Sequence, residues 1–411
     1  MSKHPQFSVV IPTRNRASYL PTAIQSVLGQ TFQDFEIIVS DNFSEDNTFD
    51  AVKRFDDPRI RYVKTAAFLP INESWAFGTE HTSGQYVAFL ADDDAYAGIY
   101  LESFAKAISE HDSDVVACGL PQYYENPHYE TRHKFASPHF TNRAYTYHCI
   151  GKKNEIWQYM FAKADLAEYP EGFRPVGLPY LANAAYRSSI FAGLRSSLGS
   201  IFPRNLASTD VYSTAIILSQ YTNNYCFLDK PLYVQRVSDV SLTRSPDIEN
   251  QRRIYGKPTY DLGEYKNYFL DFSYDNRWIE ACLLAVADTN TQLDLDLSWV
   301  KYYAKSFDSL KYLQSRGFDM AREKNSFWET LKGQDQKFQD EVLSIVANPR
   351  KRLSDFLRSS TLLATVLRAK DRYSEKKEDL VGVDEPLSID EYARMIDEKF
   401  LRDHATVQVH E

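Results

Sequence analysis

Phe7-Ser-Val-Val-Ile-Pro-Thr-Arg-Asn-Arg16 begins as a run of apolar residues and becomes polar from Pro12 onward. The apolar part, residues 7–11, is short and continuous, as is typical of a buried β-strand. The segment after it predicts a helix, because its apolar residues recur at i, i+3, i+4, i+7 and i+8 and Gly29 follows as a stop. Those apolar residues are Leu20, Ala23, Ile24, Val27 and Leu28.

The same alternation of apolar strands and helical patterns continues as far as residue 118. Strand patterns occupy residues 36–40, 59–64, 86–90 and 115–118, and helical patterns occupy residues 73–82 and 98–109. Strands that alternate with helices at this spacing form parallel sheets with helices on both faces. We therefore predict an α/β fold with a mostly parallel sheet.

The pattern changes twice further along the chain. Residues 121–206 are irregular and rich in aromatic side chains, and a helix at 211–219 and strands at 225–227 and 232–235 follow. Beyond residue 245 the sequence is mainly helical, without alternating strands. We expect an α/β domain over residues 1–245 and a helical C-terminal region over residues 246–411.

Composition excludes several classes of protein. Of 411 residues, 43% are hydrophobic and the net charge is −9, which fits a globular protein and argues against general binding to nucleic acid. The four cysteines lack metal-site or redox spacing. The chain has no run of about 18 apolar residues, as a membrane-spanning helix would need. The polar residues 1–6 do not resemble a signal peptide, so we expect a cytoplasmic protein.

Three polar segments directly follow predicted strands: residues 12–16, 41–46 and 92–94. Ligands of open parallel sheets bind beyond the carboxyl ends of the strands, so we expect these segments to share one rim. The first turn is Pro-Thr-Arg-Asn rather than a glycine-rich phosphate loop. Dinucleotide-dependent dehydrogenases and P-loop nucleotide hydrolases are thereby excluded.

The Asp92-Asp-Asp94 triplet is the sharpest local feature of the rim. In an extended segment, residues i and i+2 face the same way, so Asp92 and Asp94 would converge on one cation. Two carboxylates with open positions suit Mg²⁺ or Mn²⁺, which also accepts phosphate oxygens from a substrate. The alternative is an acidic turn before a helix, where negative charge is favourable.

Asp41 lies at the tip of the second predicted strand, beside Asn42. Its carboxylate can accept a hydrogen bond from the N–H of a nucleotide base. The alternative for Asp41, as for Asp46, is an ordinary role in a turn or a helix cap.

These segments resemble the opening of glycosyltransferase family 2, which has the GT-A fold. The resemblance rests on residues 7–16, on Ile37-Ile-Val-Ser-Asp-Asn-Phe-Ser-Glu-Asp46 and on Gly84-Gln-Tyr-Val-Ala-Phe-Leu-Ala-Asp-Asp-Asp94. The last of these is similar to the stretch that leads into the family's Asp-x-Asp metal motif. The resemblance covers residues 6–119 and extends weakly to residue 241. It implies a donor half at 1–120 and an acceptor half at 121–245.

The resemblance also implies roles for individual residues. Pro12, Thr13 and Asp41 would hold the base and ribose of a nucleotide-sugar, and Arg16 fits a basic residue near the same site. Asp92 and Asp94 would bind the divalent ion that bridges the diphosphate. Many family members have an acidic residue where this chain has Ala91, so Asp93 with Asp94 is the competing metal pair, and Asp92 and Asp93 are candidate donor-binding residues as well.

In similar enzymes an Asp or Glu before a helix in the second half of the domain acts as the base. The candidate here is Asp210, at the start of the helix predicted for 211–219. A helix cap or first-turn carboxylate is the alternative. Arg236, with Ser238 and Ser241, lies where similar enzymes fold a flexible segment over the diphosphate, and a solvated loop is the alternative there.

Residues 350–377 contain nine Lys or Arg against three acidic residues, with apolar residues at helical spacing. Such a helix can lie on an anionic membrane surface, which would suit a lipid-linked saccharide acceptor and a place at the inner membrane face. A helix packed on the catalytic domain explains the same pattern, and we favour it.

The sequence thus predicts a metal-dependent, inverting glycosyltransferase that moves a sugar from a nucleoside-diphosphate donor, with a UDP-sugar as first choice, to a saccharide or lipid-linked saccharide. A nucleotidyltransferase is the alternative enzyme, since it also uses a metal beside an α/β nucleotide site. A non-catalytic protein of the same fold that binds nucleotide or glycan is the second alternative.

Overall fold

A computed structural model describes the chain over residues 4–124, 144–148, 153–163, 167, 179–202, 209–237, 277–293, 295–315 and 319–347. Near the C-terminus it describes residues 388–391, 393–394 and 397–398. The predicted basic segment 350–377, with Ser238 and Ser241, lies outside the described residues.

The first part of the chain alternates strands and helices. Its elements are β1 (Phe7–Thr13), α1 (Leu20–Leu28), β2 (Phe35–Asp41), α2 (Thr48–Lys53), β3 (Ile60–Lys64), α3 (Ile71–Thr79), β4 (Tyr86–Phe89), β5 (Ala95–Tyr96), α4 (Tyr100–His111) and β6 (Val115–Cys118). Every residue of β1 and β4 is buried, which explains why these strands appear in the sequence as continuous runs rather than as alternating patterns.

The later elements are less regular. They are β7 (Gln122–Tyr124), β8 (Ala144–His148), α5 (Lys153–Lys163), β9 (Ala184–Arg187), α6 (Ser188–Leu198), α7 (Thr209–Ile216) with a π-helical turn (Ile217–Tyr221), β10 (Asn224–Leu228), β11 (Tyr233–Val237), α8 (Arg277–Asp288), α9 (Trp299–Ser315), α10 (Ala321–Lys332) and α11 (Gln336–Ala347). Within the described part of the chain, every helix is too short or too polar to cross a bilayer.

The central sheet has eight strands in the order β3-β2-β1-β4-β9-β6-β10-β8. The pairs β1–β2, β2–β3, β1–β4 and β6–β10 are parallel, whereas β9 is antiparallel to both of its neighbours and β8 is antiparallel to β10. A mostly parallel sheet in an α/β fold is therefore confirmed. Alternate residues of one strand belong to different apolar clusters, Val10 to one and Val9 and Ile11 to the other, as the pleat requires of a sheet covered on both faces.

A second sheet of three strands has the order β5-β11-β7. In it, β11 runs antiparallel to β5 and parallel to β7. Because β5 directly follows residues 92–94, this small sheet connects the acidic segment to a strand that lies about 140 residues later in the chain.

The expectation of irregular structure over residues 121–206 is wrong in part. The strand β9 fills the gap between β4 and β6, and α5 and α6 also lie in this region. Gly84 illustrates how closely the elements approach at the start of β4: a Cβ at this position would lie 2.6 Å from the backbone nitrogen of Ser8. A side chain at position 84 would push β1 and β4 apart.

The described residues beyond 245 are helical wherever they form regular structure, and their apolar side chains join the core of the α/β part. Ile279, Cys282 and Leu283 of α8 belong to the same buried cluster as Trp157 and Tyr212. The hydroxyl of Tyr212 also donates a hydrogen bond to the Asp288 carboxylate at the end of α8. The division at residue 245 remains a prediction, but one apolar core extends across it.

Candidate functional site

The carboxyl ends of β1 and β2 lie side by side on the rim of the sheet. Thr13 and Asp41 are paired in the parallel ladder, and the backbone N–H of Asn42 donates to the carbonyl of Thr13 at 2.9 Å. The Thr13 hydroxyl donates to Oδ2 of Asp92 at 2.7 Å. These contacts bring together residues from all three polar segments that follow the strands.

The acidic segment is a turn rather than an extended strand. The backbone N–H of Asp94 donates to the carbonyl of Ala91 at 3.1 Å, which closes a four-residue turn. The extended backbone on which the expectation for Asp92 and Asp94 rests is therefore not present, and the metal pair itself stays a prediction. The side chains of Asp92 and Asp93 are half-buried at the rim, while Asp94 is only 4% exposed.

Asp94 is fixed by β11. The Tyr233 hydroxyl donates to Oδ2 of Asp94, and the backbone N–H of Arg236 donates to Oδ1 at 2.7 Å. Tyr233 also accepts a hydrogen bond from the backbone N–H of Ala91 at 3.3 Å, so it holds both ends of the turn. Sequence reasoning missed Tyr233, because a tyrosine in a predicted strand gives no sign of a hydrogen bond to a carboxylate.

Two arginines meet Asp93 from opposite parts of the chain. Arg16 donates to the carboxylate of Asp93 at 3.0 Å, and Nε of Arg236 donates to its backbone carbonyl at 2.8 Å. Both guanidinium groups also lie over the ring of Tyr19, at 5.6 Å and 5.0 Å from its centroid. Cations at this distance from an aromatic face are attracted by it, so Tyr19 gathers two positive charges beside the acidic turn.

Asp41 is buried, with 1% of its side chain exposed. Oδ1 accepts a hydrogen bond from the backbone N–H of Ser44 at 2.7 Å, and Oδ2 accepts one from the Tyr62 hydroxyl. The ammonium group of Lys64 lies 3.8 Å from Oδ2. Each carboxylate oxygen has a second lone pair, so a ligand N–H could still be accepted, but only in competition with these groups.

Arg14 and Asn42 hold the loops that surround Asp41. Arg14 donates to the carbonyls of Asn42 and Phe43 at 2.7 Å and 3.0 Å and covers the ring of Phe68. The amide of Asn42 both donates to and accepts from the backbone of Leu69, each at 2.9 Å. Both residues lie in segments that the sequence placed at the rim, but sequence reasoning gave neither of them a role of its own.

Burial and the neighbouring charge of Asp93 raise the proton affinity of Asp92 and Asp94. Burial, followed by the charge of Asp93, raises the pKa of Asp92 well above its ordinary value, and the Thr13 hydrogen bond opposes the shift. The same two causes raise the pKa of Asp94, against the hydrogen bonds from Tyr233 and Arg236. Neighbouring carboxylates that resist ionisation are an arrangement that a cation would stabilise.

The donor chemistry of the turn fits Mg²⁺ or Mn²⁺. Asp92 and Asp93 offer hard carboxylate oxygens at a half-buried rim, and such ions take few protein ligands and complete their shell with water and substrate phosphates. Among the residues that the structure describes, no group of three or more His, Cys, Asp or Glu side chains could hold a metal ion.

The remaining predicted residues lie on different elements. Pro12 is buried in β1, next to Thr13, and Arg236 lies in β11. Asp210 is the second residue of α7, and its side chain lies outside the described residues.

Comparison with known proteins places the family match in the amino-terminal part of the chain. Residues 8–169 match the family described as Glycosyl transferase family 2. A GalNAc(5)-diNAcBac-PP-undecaprenol beta-1,3-glucosyltransferase of Campylobacter jejuni is 42% identical over 93 residues, which are 22% of this chain and 30% of that protein. A PGL/p-HBAD biosynthesis glycosyltransferase of Mycobacterium tuberculosis is 33% identical over 117 residues, 27% of this chain and 45% of that protein.

The chain thus spans less than half the length of these curated relatives. Among solved structures, that of S. aureus TarS 1-349 in complex with UDP-GlcNAc superposes with a TM-score of 0.48 and 17% identity. The superposition covers 84% of this chain and 92% of that one.

Proposed function

Since residues 8–169 are a glycosyl transferase family 2 domain, we propose that the protein transfers one sugar from a nucleoside-diphosphate donor to a saccharide acceptor. The observation that carries this proposal is the hydrogen bond between Thr13 and Asp92. It joins the end of β1, beside Asp41, to the acidic turn. A nucleoside held at the end of β1 and a diphosphate held at the acidic turn would then lie on one continuous rim.

The positive charges beside Asp93 support a diphosphate at the turn. Arginine forms paired hydrogen bonds with phosphate oxygens, and Arg16 and Arg236 both lie at this residue. In the proposed complex, Pro12, Thr13 and Asp41 contact the base and ribose. Arg16 and Arg236 then exchange part of their contact with Asp93 for the diphosphate.

We propose that Asp92 and Asp93 hold Mg²⁺ or Mn²⁺. The two oxygens of Asp94 already accept hydrogen bonds from Tyr233 and Arg236, which favours a structural role for that residue over the predicted Asp92–Asp94 pair. When bound, the ion would neutralise negative charge that develops on the leaving diphosphate. Substitutions of the three aspartates can distinguish the Asp92–Asp93 pair proposed here from the Asp92–Asp94 pair predicted from sequence.

The second half of the reaction needs a base for the acceptor. We propose that Asp210, at the start of α7, takes the proton of the acceptor hydroxyl as its oxygen attacks the anomeric carbon. The bond from that carbon to the diphosphate oxygen breaks on the opposite side, and the nucleoside diphosphate leaves. One in-line displacement of this kind inverts the anomeric centre.

The acceptor is proposed to be a saccharide, free or lipid-linked. The Campylobacter relative is named for an undecaprenol-linked substrate, which supports the lipid-linked form. With a lipid-linked acceptor, the basic segment 350–377 would have an anionic surface to bind, as the alternative to the packing on the catalytic domain that the sequence favours.

Thermal unfolding with UDP and with GDP, each with and without Mn²⁺, tests the donor site, because a ligand of the folded state raises its stability. We expect one nucleoside diphosphate to raise the midpoint, and more so with Mn²⁺. Product analysis with a nucleotide-sugar should then detect nucleoside diphosphate. Release of pyrophosphate would indicate a nucleotidyltransferase, and binding without turnover a non-catalytic protein.

A further inference from the structure

A short helix near the end of the chain begins with a capping box. The backbone N–H of Ser388 donates to the Glu391 carboxylate at 2.6 Å, and the N–H of Glu391 donates to the Ser388 hydroxyl at 3.3 Å. This reciprocal pair fixes the start of a helix. The helical residues 389–391, 393–394 and 397–398 are called the distal helix below.

The distal helix presents one face to the α/β domain. Ile389, Ala393 and Asp397 are spaced at i, i+4 and i+8, which places them on the same side. Ile389 and Ala393 are 3% and 6% exposed and belong to the apolar cluster that contains β1 and α1. The apolar residues of this face therefore pack into the core of the donor half, although they lie about 300 residues from it in sequence.

Asp397 binds the backbone just before α4. Its carboxylate accepts hydrogen bonds from the N–H groups of Gly98 at 2.7 Å and Ile99 at 3.3 Å. A Cβ at position 98 would lie 2.7 Å from Oδ2 of Asp397, so glycine is what permits this approach. The Asp397 carboxylate therefore reaches these amides because residue 98 has no side chain.

The two amides that Asp397 binds lie at the end of residues 92–99, a segment that begins with the acidic turn. From Asp94 onward this segment is anchored residue by residue: Asp94 by Tyr233, β5 by β11, and the Ala97 N–H by the carbonyl of Leu232 at 2.9 Å. The Asp397 contacts with residues 98 and 99 complete that series. The carbonyls of Ala97 and Gly98 are held from the other side, by the Gln30 amide at 2.7 Å and the Thr31 N–H at 2.9 Å. Asp397 is thus what binds the N–H groups of residues 98 and 99.

We propose that Asp397 is a positioning residue for the donor site, holding residues 92–99 in place from the far end of the chain. The proposal rests on the proposed function for its effect on donor binding, but its effect on residues 92–99 stands independently of it.

Asp390 links the distal helix to the same site through charge. Burial raises the pKa of its carboxyl, and the guanidinium groups of Arg394 and Arg236 oppose that shift. Arg236 is therefore within electrostatic range of the distal helix while it also contacts Asp93. The distal helix thus contacts the backbone after the acidic turn and carries a carboxyl within electrostatic range of an arginine beside that turn.

The test compares Asp397→Ala and Asp397→Asn with Glu391→Gln in the full chain. Glu391 is an exposed carboxylate on the same helix, and glutamine preserves the capping box, so it is the matched control. We expect hydrogen exchange of the peptide covering residues 92–101 to become about tenfold faster in Asp397→Ala, equivalent to about 1.4 kcal/mol. The exchange rate in Asp397→Asn should lie between those of the wild type and Asp397→Ala, and the rate in Glu391→Gln should match the wild type.

The second measurement is the Kd for UDP and for GDP with Mn²⁺, well below the unfolding midpoint. We expect Asp397→Ala to weaken binding of the nucleotide that the wild type binds, whereas a purely global loss of stability would leave the Kd unchanged. Unchanged exchange and an unchanged Kd would overturn the proposal. If the wild type binds neither nucleotide, the proposed function fails, and the exchange data still decide whether Asp397 positions the segment.

Gly98→Ala disturbs the same contact at its other partner, and it is the alternative test if Asp397→Ala does not fold. We expect it to accelerate exchange of residues 92–101 as Asp397→Ala does. Combined with Asp397→Asn, it should add little, because both changes disturb one contact. Full additivity, or normal exchange in Gly98→Ala, would contradict the proposal.

Discussion

The hydroxyl of Tyr233 donates a hydrogen bond to the carboxylate of Asp94, joining two buried residues that are 139 positions apart in sequence. The other oxygen of Asp94 accepts the backbone N–H of Arg236. The last aspartate of the triplet therefore ties the acidic turn to β11. Its neighbours Asp92 and Asp93 are left at the rim, where a substrate can reach them.

Tyr233→Phe tests this tie. The change removes a donor from a buried carboxylate, so we expect the free energy of unfolding to fall by about 1–3 kcal/mol and nucleotide binding to weaken. Urea unfolding and titration with UDP and Mn²⁺ measure the two effects. Tyr86→Phe is the control, because its buried hydroxyl donates to the carbonyl of Ser113, on the amino-terminal side of β6 and away from the turn. It should lose stability without losing affinity, and equal affinity losses in both variants would contradict the prediction.

Single Asn substitutions of the triplet separate the two assignments of the metal pair. If Asp92 and Asp93 are the ligands, Asp92→Asn and Asp93→Asn abolish the part of the nucleotide-induced thermal shift that depends on Mn²⁺. Asp94→Asn instead lowers the midpoint and keeps the Mn²⁺ dependence. Asp335→Asn, at an exposed turn before α11, serves as the control. The reverse pattern for Asp93 and Asp94 would restore the pair expected from sequence.

Tyr19 is expected to hold Arg16 and Arg236 in position for a diphosphate. Tyr19→Phe keeps the ring, and we expect nearly normal activity. Tyr19→Leu removes two cation–π contacts of about 0.5–1 kcal/mol each, so the KM for the donor should rise several-fold with a smaller change in kcat. Steady-state kinetics with the donor varied measures this. Equal kinetics for the two variants would show that the ring plays no such part.

The strands β1, β2 and β4 could be predicted because nearly all of their residues are buried and they appear as apolar runs. The strand β9 could not, because Ala184-Ala-Tyr-Arg187 is short and carries no β-branched residue. Its place between β4 and β6 depends on pairing with strands about 70 to 100 residues away. Local periodicity contains no information about such pairing.

The rim could be located from sequence, but its geometry could not. That Thr13, Asp41 and the acidic segment lie near one another follows from the parallel topology. The expectation about Asp92 and Asp94 assumed extended backbone, whereas residues 91–94 form a turn that Tyr233 contacts at both ends. The distal helix lies within the region expected to be helical, but its contact with the donor half was not predicted, since only Ile389 and Ala393 of its described residues are apolar and buried. Its Ser-x-x-Glu capping box was available as a signal of the helix start.

Asp210→Asn tests the proposed base. We expect kcat to fall by about 10²–10⁴-fold, the usual contribution of a general base, with nucleotide affinity unchanged. A carboxylate that only favours the start of α7 would contribute about 0.3–1 kcal/mol to stability and little to turnover. Comparing kcat with the free energy of unfolding therefore separates the roles. A stable variant with normal kcat would remove Asp210 from the mechanism.

A chain ending at residue 245 is expected not to fold, even though the secondary-structure pattern changes there. The face of α8 that packs beside Tyr212 would be lost, and with it Ile279, Cys282 and Leu283, which are at most 3% exposed. Burying one large apolar side chain contributes about 1.5–3 kcal/mol, and total stabilities are about 5–15 kcal/mol, so losing several exceeds what the domain can tolerate.

A chain ending at residue 347 keeps α8 to α11 and is the control. It should give a cooperative thermal transition by circular dichroism, with weakened nucleotide binding because the distal helix is missing. A cooperative transition in the chain ending at 245 would show that the α/β part is an independent folding unit.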